Sequence, residues 1–357
     1  MEDLDQNSKQ DYVQQASNKE SSPERLRELA KYQDKNINAE IARNISCPVD
    51  LMQHLALDNA WEVRAAVAAN QNCPIDLIMT LANTKNTRVS SCAFENPNCP
   101  IALLKTITIE KERDLRESAA RNPNCPPDVL NHLGLDCNAS VRAAVAANPN
   151  CPESLLKTLA ADDEWSVRLR VASNYRSPAN AFVRLIKDKD SSILYELSKN
   201  TNCPEEVLIK LSKNKDPIYR QGIASNTNTP ISILAVLASD SNINVRSGVV
   251  SNQNCPLDIK IKLACDDNVE FVRFTARSAL ERMSHGDWEA AILEGYSLSY
   301  SNPACESDEK KLGDMLLSSG LVDVYQTIQS VELSNRLASK EPPPISLASQ
   351  STIKMRL

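Results

Sequence analysis

The sequence predicts an all-α protein, a solenoid of 26-residue repeats with two helices each, and three observations carry that prediction. First, a small residue followed by proline returns at one interval. The pairs are Cys47-Pro48, Cys73-Pro74, Cys99-Pro100, Cys125-Pro126, Cys151-Pro152, Ser177-Pro178, Cys203-Pro204, Thr229-Pro230 and Cys255-Pro256. Second, an asparagine stands three residues before each pair, from Asn44 and Asn70 through Asn148 to Asn252. Third, apolar residues recur at helical spacing twice between these marks. A fixed period of this length means stacked supersecondary units, each in contact only with its neighbours. The 4% aromatic content and 7 glycines suit packed Leu, Ala and Val helices better than a β-sandwich or propeller.

Residues 1–21 are polar and lack periodicity, which predicts a disordered segment. Ser22-Pro23-Glu24-Arg25-Leu26 reads as a worn first repeat, one residue short of register. Each regular repeat then opens with its Cys, Ser or Thr as an N-cap candidate and with proline at the first helical position. An acid follows in the first turn, as at Asp50, Asp76, Asp128, Glu206 and Asp258, where it suits the helix dipole. Apolar triplets such as Leu51, Met52, Leu55 and Leu155, Leu156, Leu159 define helix A. A polar turn follows, as at Asp58-Asn59 and Asp162-Asp163. A shorter helix B comes next, with a stripe such as Val141, Ala144, Val145. The array is placed over 22–280. Weak helical periodicity in 287–298 and 308–340 predicts a C-terminal cap over 281–340, and Pro342-Pro343-Pro344 with the Ser-rich end predicts a flexible tail over 341–357.

A formal charge of -6 and a pI near 5.4 give no general drive toward nucleic acid or anionic membranes. No apolar run is long enough to span a membrane and the first ten residues are polar, so the expectation is a soluble cytoplasmic protein. Seven of the eleven cysteines sit in the repeat-opening column. Helices in a stack lie about 8–10 Å apart, beyond the roughly 4.4–6.8 Å that bridged Cα atoms need. With Ser177 and Thr229 in the same column, the position asks for a small side chain, and reduced thiols fit best.

The string from Val141 to Pro152, VRAAVAANPNCP, followed by Leu155, Leu156, Leu159 and Ala160, resembles the leucine-rich repeat variant family. The likeness extends over roughly 22–280. It implies a right-handed superhelix of paired helices, one of them 3₁₀ in character, without strands. One relative carries an N-terminal iron–sulfur module. No cysteine precedes Cys47 here, so the cluster is not carried over.

Columns that could bear chemistry have structural readings beside them. Cluster or zinc ligation needs short Cys spacings, and none occurs. The asparagine column is read as side chains bonding turn backbone in their own or the adjacent repeat. An arginine column, Arg64, Arg116, Arg142, Arg168, Arg220 and Arg246, has an acid six residues earlier in five rows: Asp58, Glu110, Asp136, Asp162 and Asp240. This predicts local pairing at the A–B turn. His54 and His132 share a column but lie three repeats apart, too far for one metal. No catalytic set, phosphate loop or metal motif is present, so no catalytic, cofactor or metal residue is assigned.

Repeats differ most on one face of helix B. Down the array, the residue after the arginine column and the residue four later turn from small to charged and aromatic. This nominates Glu95, Glu117, Arg121, Leu169, Tyr195 and Lys199 as a partner-binding surface. The favoured reading is a non-catalytic scaffold that binds a macromolecule, protein first, along a concave face. A nucleic-acid-binding or DNA-glycosylase-like helical-repeat protein is the alternative, drawn from the basic helix A edge of Lys105, Lys157, Arg184, Lys210 and Lys262. A cofactor or metal-cluster accessory protein ranks third.

Overall fold

The computed structural model describes residues 6–107, 111–301 and 311–338. They form 24 helices and no strand; one isolated bridge joins Ser301 and Lys311. The architecture is a helical repeat solenoid, and contacts divide the chain into two units, 1–211 and 212–357. In the first unit the B helices stack in chain order. Gln6–Ser17 packs on Lys35–Arg43, then Trp61–Ala69, Thr87–Glu95, Arg113–Arg121, Ala139–Ala147, Trp165–Ser173 and Ser191–Lys199 follow. In the second, Pro217–Ser225 packs on Ile243–Ser251, and that on Glu270–Glu281.

Each repeat is built the same way. Helix A is short, seven residues in Val49–Leu55, and buries Leu51, Met52 and Leu55. Its first turn is closed by the Pro48 carbonyl, which accepts from the Met52 N–H at 3.0 Å. The A–B turn ends on a second cap that the repeat-opening mark does not reveal. Asn86, Asn138, Asp190, Asp216 and Asn242 each accept a backbone N–H two residues on with their side chain. Helix B is nine residues and ends where the asparagine turns to extended backbone, with ψ 131° at Asn148. Its inner stripe of Val141, Ala144, Val145 and Ala146 is buried.

The repeat-opening column is not the N-cap that the sequence suggests. No cysteine of the column accepts a backbone N–H. The thiols of Cys47, Cys73, Cys99, Cys151 and Cys255 donate instead to the following proline carbonyl at 3.6–4.0 Å. The hydroxyls that replace them point back into helix B. Ser177 Oγ donates to Val171 O and Thr229 Oγ1 to Ile223 O, both at 2.6 Å. The side chain faces the core, leaving the cap to the proline carbonyl.

That bond also corrects the start of the array. Ser21 Oγ donates to Gln15 O at 2.6 Å, the same six-residue reach. Ser21, not Ser22, therefore holds the first column, 26 residues before Cys47, and the first repeat is in register. Ser22 caps its helix by accepting from the Arg25 N–H. The segment expected to be disordered contains the helix Gln6–Ser17, which serves as a B helix ahead of the first repeat. Residues 1–5 and the tail predicted over 341–357 lie outside the described residues.

At the other end the array carries one more pair, offset by one residue. Leu257–Asp266 is ten residues long, and the column then resumes at Asp267 and Arg273, whose Nη1 donates to Asp267 O at 2.5 Å. The helices His285–Leu293, Leu312–Ser318 and Val322–Ala338 follow. The last packs on Glu270–Glu281, and Trp288 and Ile328 are fully buried among them. No helix of the described residues is long and apolar enough to cross a membrane.

Candidate functional site

Two columns form the frame on which any site must be built. The asparagine side chains make a ladder between repeats. Nδ2 of Asn44, Asn70, Asn96, Asn122, Asn148, Asn174, Asn200 and Asn252 donates to the carbonyl 28 residues back at 2.6–2.8 Å. It also donates to the carbonyl of the preceding asparagine, at 2.7–3.1 Å. Oδ1 accepts the N–H two residues on, 2.8 Å at Asn150 for Asn148. These asparagines are buried, and the ladder satisfies backbone that no sheet pairs. A second, exposed ladder runs beside it. Asn72, Asn98, Asn124 and Asn150 reach carbonyls 27 residues back, and Arg176 and Asn202 continue it. Its signal in the sequence is the Asn that recurs two places after the first.

The arginine column pairs differently from the sequence prediction. Each guanidinium takes only a backbone carbonyl from the position six back: Arg64 from Asp58, Arg142 from Asp136, Arg168 from Asp162, Arg220 from Asn214 and Arg246 from Asp240, at 2.6–2.8 Å. Glu110, the acid assigned to Arg116, lies outside the described residues. The carboxylate comes from the next repeat. Nε and Nη2 of Arg116, Arg142, Arg168 and Arg220 form a two-bond fork on Asp136, Asp162, Asp188 and Asp240, with Nε–O distances of 2.5–2.7 Å. Arg246 forks on Asp267 in the same way.

The reason is that one of the two aspartate oxygens is also held by its own turn. Asp136 Oδ1 accepts the Asn138 N–H at 2.8 Å, which faces the carboxylate toward the preceding repeat. Burial pushes the carboxyls of Asp136, Asp162 and Asp188 upward; the guanidinium and turn bonds outweigh it and hold all three below the ordinary carboxylate value. At Asp240 the Arg220 guanidinium is the largest influence and acts in the same direction.

The six nominated residues lie on the exposed or half-buried side of the B helices in the first unit. The structure gathers five of them into two clusters. Arg121 Nη1 lies 3.2 Å from Glu95 Oε1 of the preceding repeat, and Nη2 is ion-paired with Glu117 one turn back. Ser118 Oγ donates to the same Glu95 oxygen at 3.2 Å. Further along, the Lys199 ammonium sits 5.0 Å from the centre of the Tyr195 ring. Leu169 is half-buried between the clusters in chain order and is drawn into neither. Trp61 and Trp165 hold the same repeat position four periods apart; Trp61 carries the Arg88 guanidinium over its ring at 4.7 Å, while Trp165 is exposed.

Burial pushes the thiols of Cys47, Cys99, Cys125, Cys151 and Cys203 up to about 12 and those of Cys73 and Cys255 up to about 11. All cysteines of the described residues are unbridged, and no group of three or more His, Cys, Asp or Glu among those residues could hold a metal. The basic helix A edge is partly neutralised, since Lys105 pairs with Asp128 at 3.0 Å.

No curated protein matches the chain. A solved structure of an engineered protein aligns at 15% identity and a TM-score of 0.31, covering 91% of this chain and 98% of that one. A second engineered protein aligns at 13% identity and a TM-score of 0.12, covering 78% and 92%. Likeness at that level bears on neither fold detail nor function. The match that coincides with the architecture is to the leucine rich repeat variant family: residues 139–164 fit its model, and they run from helix B Ala139–Ala147 through Asn148, Cys151-Pro152 and helix A Glu153–Leu159 to the end of the following turn, one full period of the repeat.

Proposed function

We propose that this helical repeat protein is a non-catalytic cytosolic scaffold that binds a protein partner along the exposed face of its B helices. One observation supports the reading. The asparagine and arginine columns spend their polar groups within the frame, whereas the face bearing Glu95, Glu117, Arg121, Leu169, Tyr195 and Lys199 changes character from repeat to repeat. A rigid frame that presents varied side chains at fixed spacing lowers the ordering cost of binding. Tyr195 is the expected anchor, because it combines apolar area with a hydroxyl and stands beside a cation. Arg121 already holds two carboxylates, so its contribution is to set the charge pattern around Glu95 and Glu117.

The test is an affinity purification with the full chain, followed by titration of the recovered partner against an Arg121→Ala, Tyr195→Ala double variant. Weakened binding at an unchanged melting midpoint is the expected result. Full affinity in that variant, lost instead when Lys157, Arg184 and Lys210 are neutralised and falling steeply with salt, would replace the reading with nucleic-acid binding.

A further inference from the structure

The first repeat breaks the arginine column, and the break leaves its carboxylate with one donor fewer. Asn38 stands 26 residues before Arg64, in the position that Arg116, Arg142 and Arg168 fill later. Where those arginines lay two nitrogens on the carboxylate of the next repeat, Asn38 offers one. Its Nδ2 donates to Asp58 Oδ2 at 3.1 Å. Asp58 Oδ1 is held by its turn through the Ala60 N–H at 2.8 Å, as in the other repeats. A cavity of about 360 Å³ lies at this A–B turn, lined by Gln33, Asn38, His54, Asp58 and Asn59 among others. The equivalent cavity beside the Arg168–Asp188 fork is about 700 Å³, so what the first repeat lacks is the bond to the carboxylate rather than filled space. Asn38 itself is only 6% exposed, and its Oδ1 is buried with no hydrogen-bond partner.

The Asp58 carboxylate accepts two hydrogen bonds where that of Asp162 accepts three, and Asn38 Oδ1 accepts none. The chain shows what fits: a guanidinium, five times over, held against an aspartate in this column. We propose that the Asn38–Asp58 cavity is a binding site for a guanidinium group, taken from a small guanidino compound or from an arginine side chain of a peptide. The Asp58 carboxylate would hold the ligand in the manner in which Asp162 holds Arg142. A primary ammonium has the charge but lacks the fork that two carboxylate oxygens prefer. The site is separate from the B-helix face and does not depend on the scaffold reading.

The experiment titrates the full chain with agmatine and with N-acetylarginine amide, followed by amide resonances of Asn59 and Ala60. n-Butylamine serves as the ammonium control. Saturable millimolar binding of at least one guanidino probe, at least about tenfold tighter than butylamine, is expected. Agmatine alone assigns the site to small compounds; binding of both probes admits an arginine on a peptide. Asn38→Arg should abolish binding by placing a fork on the Asp58 carboxylate from within the chain, with the melting midpoint kept or raised. Asp58→Asn should abolish it as well without breaking the turn, because Asn214 in the same column accepts the Asp216 N–H at 3.0 Å. Absence of saturable binding, equal affinity for butylamine, or undiminished binding in Asp58→Asn would each overturn the proposal.

Discussion

Asn148 shows how much one side chain can carry in this frame. It closes its own turn with Oδ1 and holds two carbonyls of the preceding repeat with Nδ2, all from a buried position. Asn148→Ala leaves those groups unpaired, and a loss of about 1–3 kcal/mol in urea unfolding is expected. Asn150→Ala removes a single exposed bond to Pro123 O and should stay within about 0.5 kcal/mol. Equal losses in the two variants would mean that burial does not separate the ladders. The cysteine column makes the opposite forecast. Cys151→Ser should be close to neutral, since a hydroxyl there has Val145 O six residues back, the acceptor used by Ser177 and Thr229 in their own repeats. In the native parent, thiol labelling should reach exposed Cys137 well before buried Cys151, whose thiol burial pushes up to about 12.

Between elements, the arginine forks tie each A–B turn to the next. Their aspartates lie below the ordinary carboxylate value when folded, so the unfolded chain binds more protons as the solution turns acid. Their stabilisation is complete above the unfolded value of about 3.9 and is lost as pH falls through the folded values. Urea midpoints should therefore decline below about pH 4. An Asp136→Asn, Asp162→Asn variant should start lower at neutral pH and decline less steeply; parallel curves would exclude these carboxyls as the cause. One fork is incomplete. Arg64 has the carbonyls of Asp58 and Asn59, but Thr84 stands where its carboxylate belongs. Thr84→Asp should raise the melting midpoint, and Arg64→Met in that background should cancel the gain. The fork is also where sequence reading met its limit. A partner six residues back and one twenty residues on differ by a single period. A repeating sequence presents both in the same column, and only the turn geometry around Asp136 chooses between them.

At the scale of the whole molecule, the period, the two helices and the asparagine column were all legible, because each is a pattern repeated many times. The ends were not. Gln6–Ser17 is polar and lacks a strong apolar stripe, so periodicity passes it over. What identifies it is the Ala16-Ser17-Asn18 triplet, which repeats Ala172-Ser173-Asn174 and Ala224-Ser225-Asn226. Its Ala16 and Asn18 carbonyls accept from Asn44 as the ladder requires. Deleting residues 1–18 should lower the melting midpoint and speed amide exchange in Lys35–Arg43. The face nominated for binding was legible only as variation. Its pairing into a Glu95–Glu117–Arg121 cluster and a Tyr195–Lys199 pair depends on which helices stack, something no single repeat reveals.

The ladder also bears on how such a chain can change length over generations. Every rung is defined by a chain offset alone, the carbonyls 26 and 28 residues back, and by nothing particular to its own repeat. Excising residues 125–150, one whole period, would bring Asn174 to the carbonyls of Ala120 and Asn122, the two acceptors that Asn148 now uses. Excising one residue fewer or more would misplace both at once. A gene segment encoding one full period can therefore be copied or dropped with no new wiring to invent, while a slip of a single codon inside the array is rejected at the first asparagine it reaches. The tolerated slip is the extra residue of Leu257–Asp266, in the last repeat before the C-terminal helices, where no further rung has to be met.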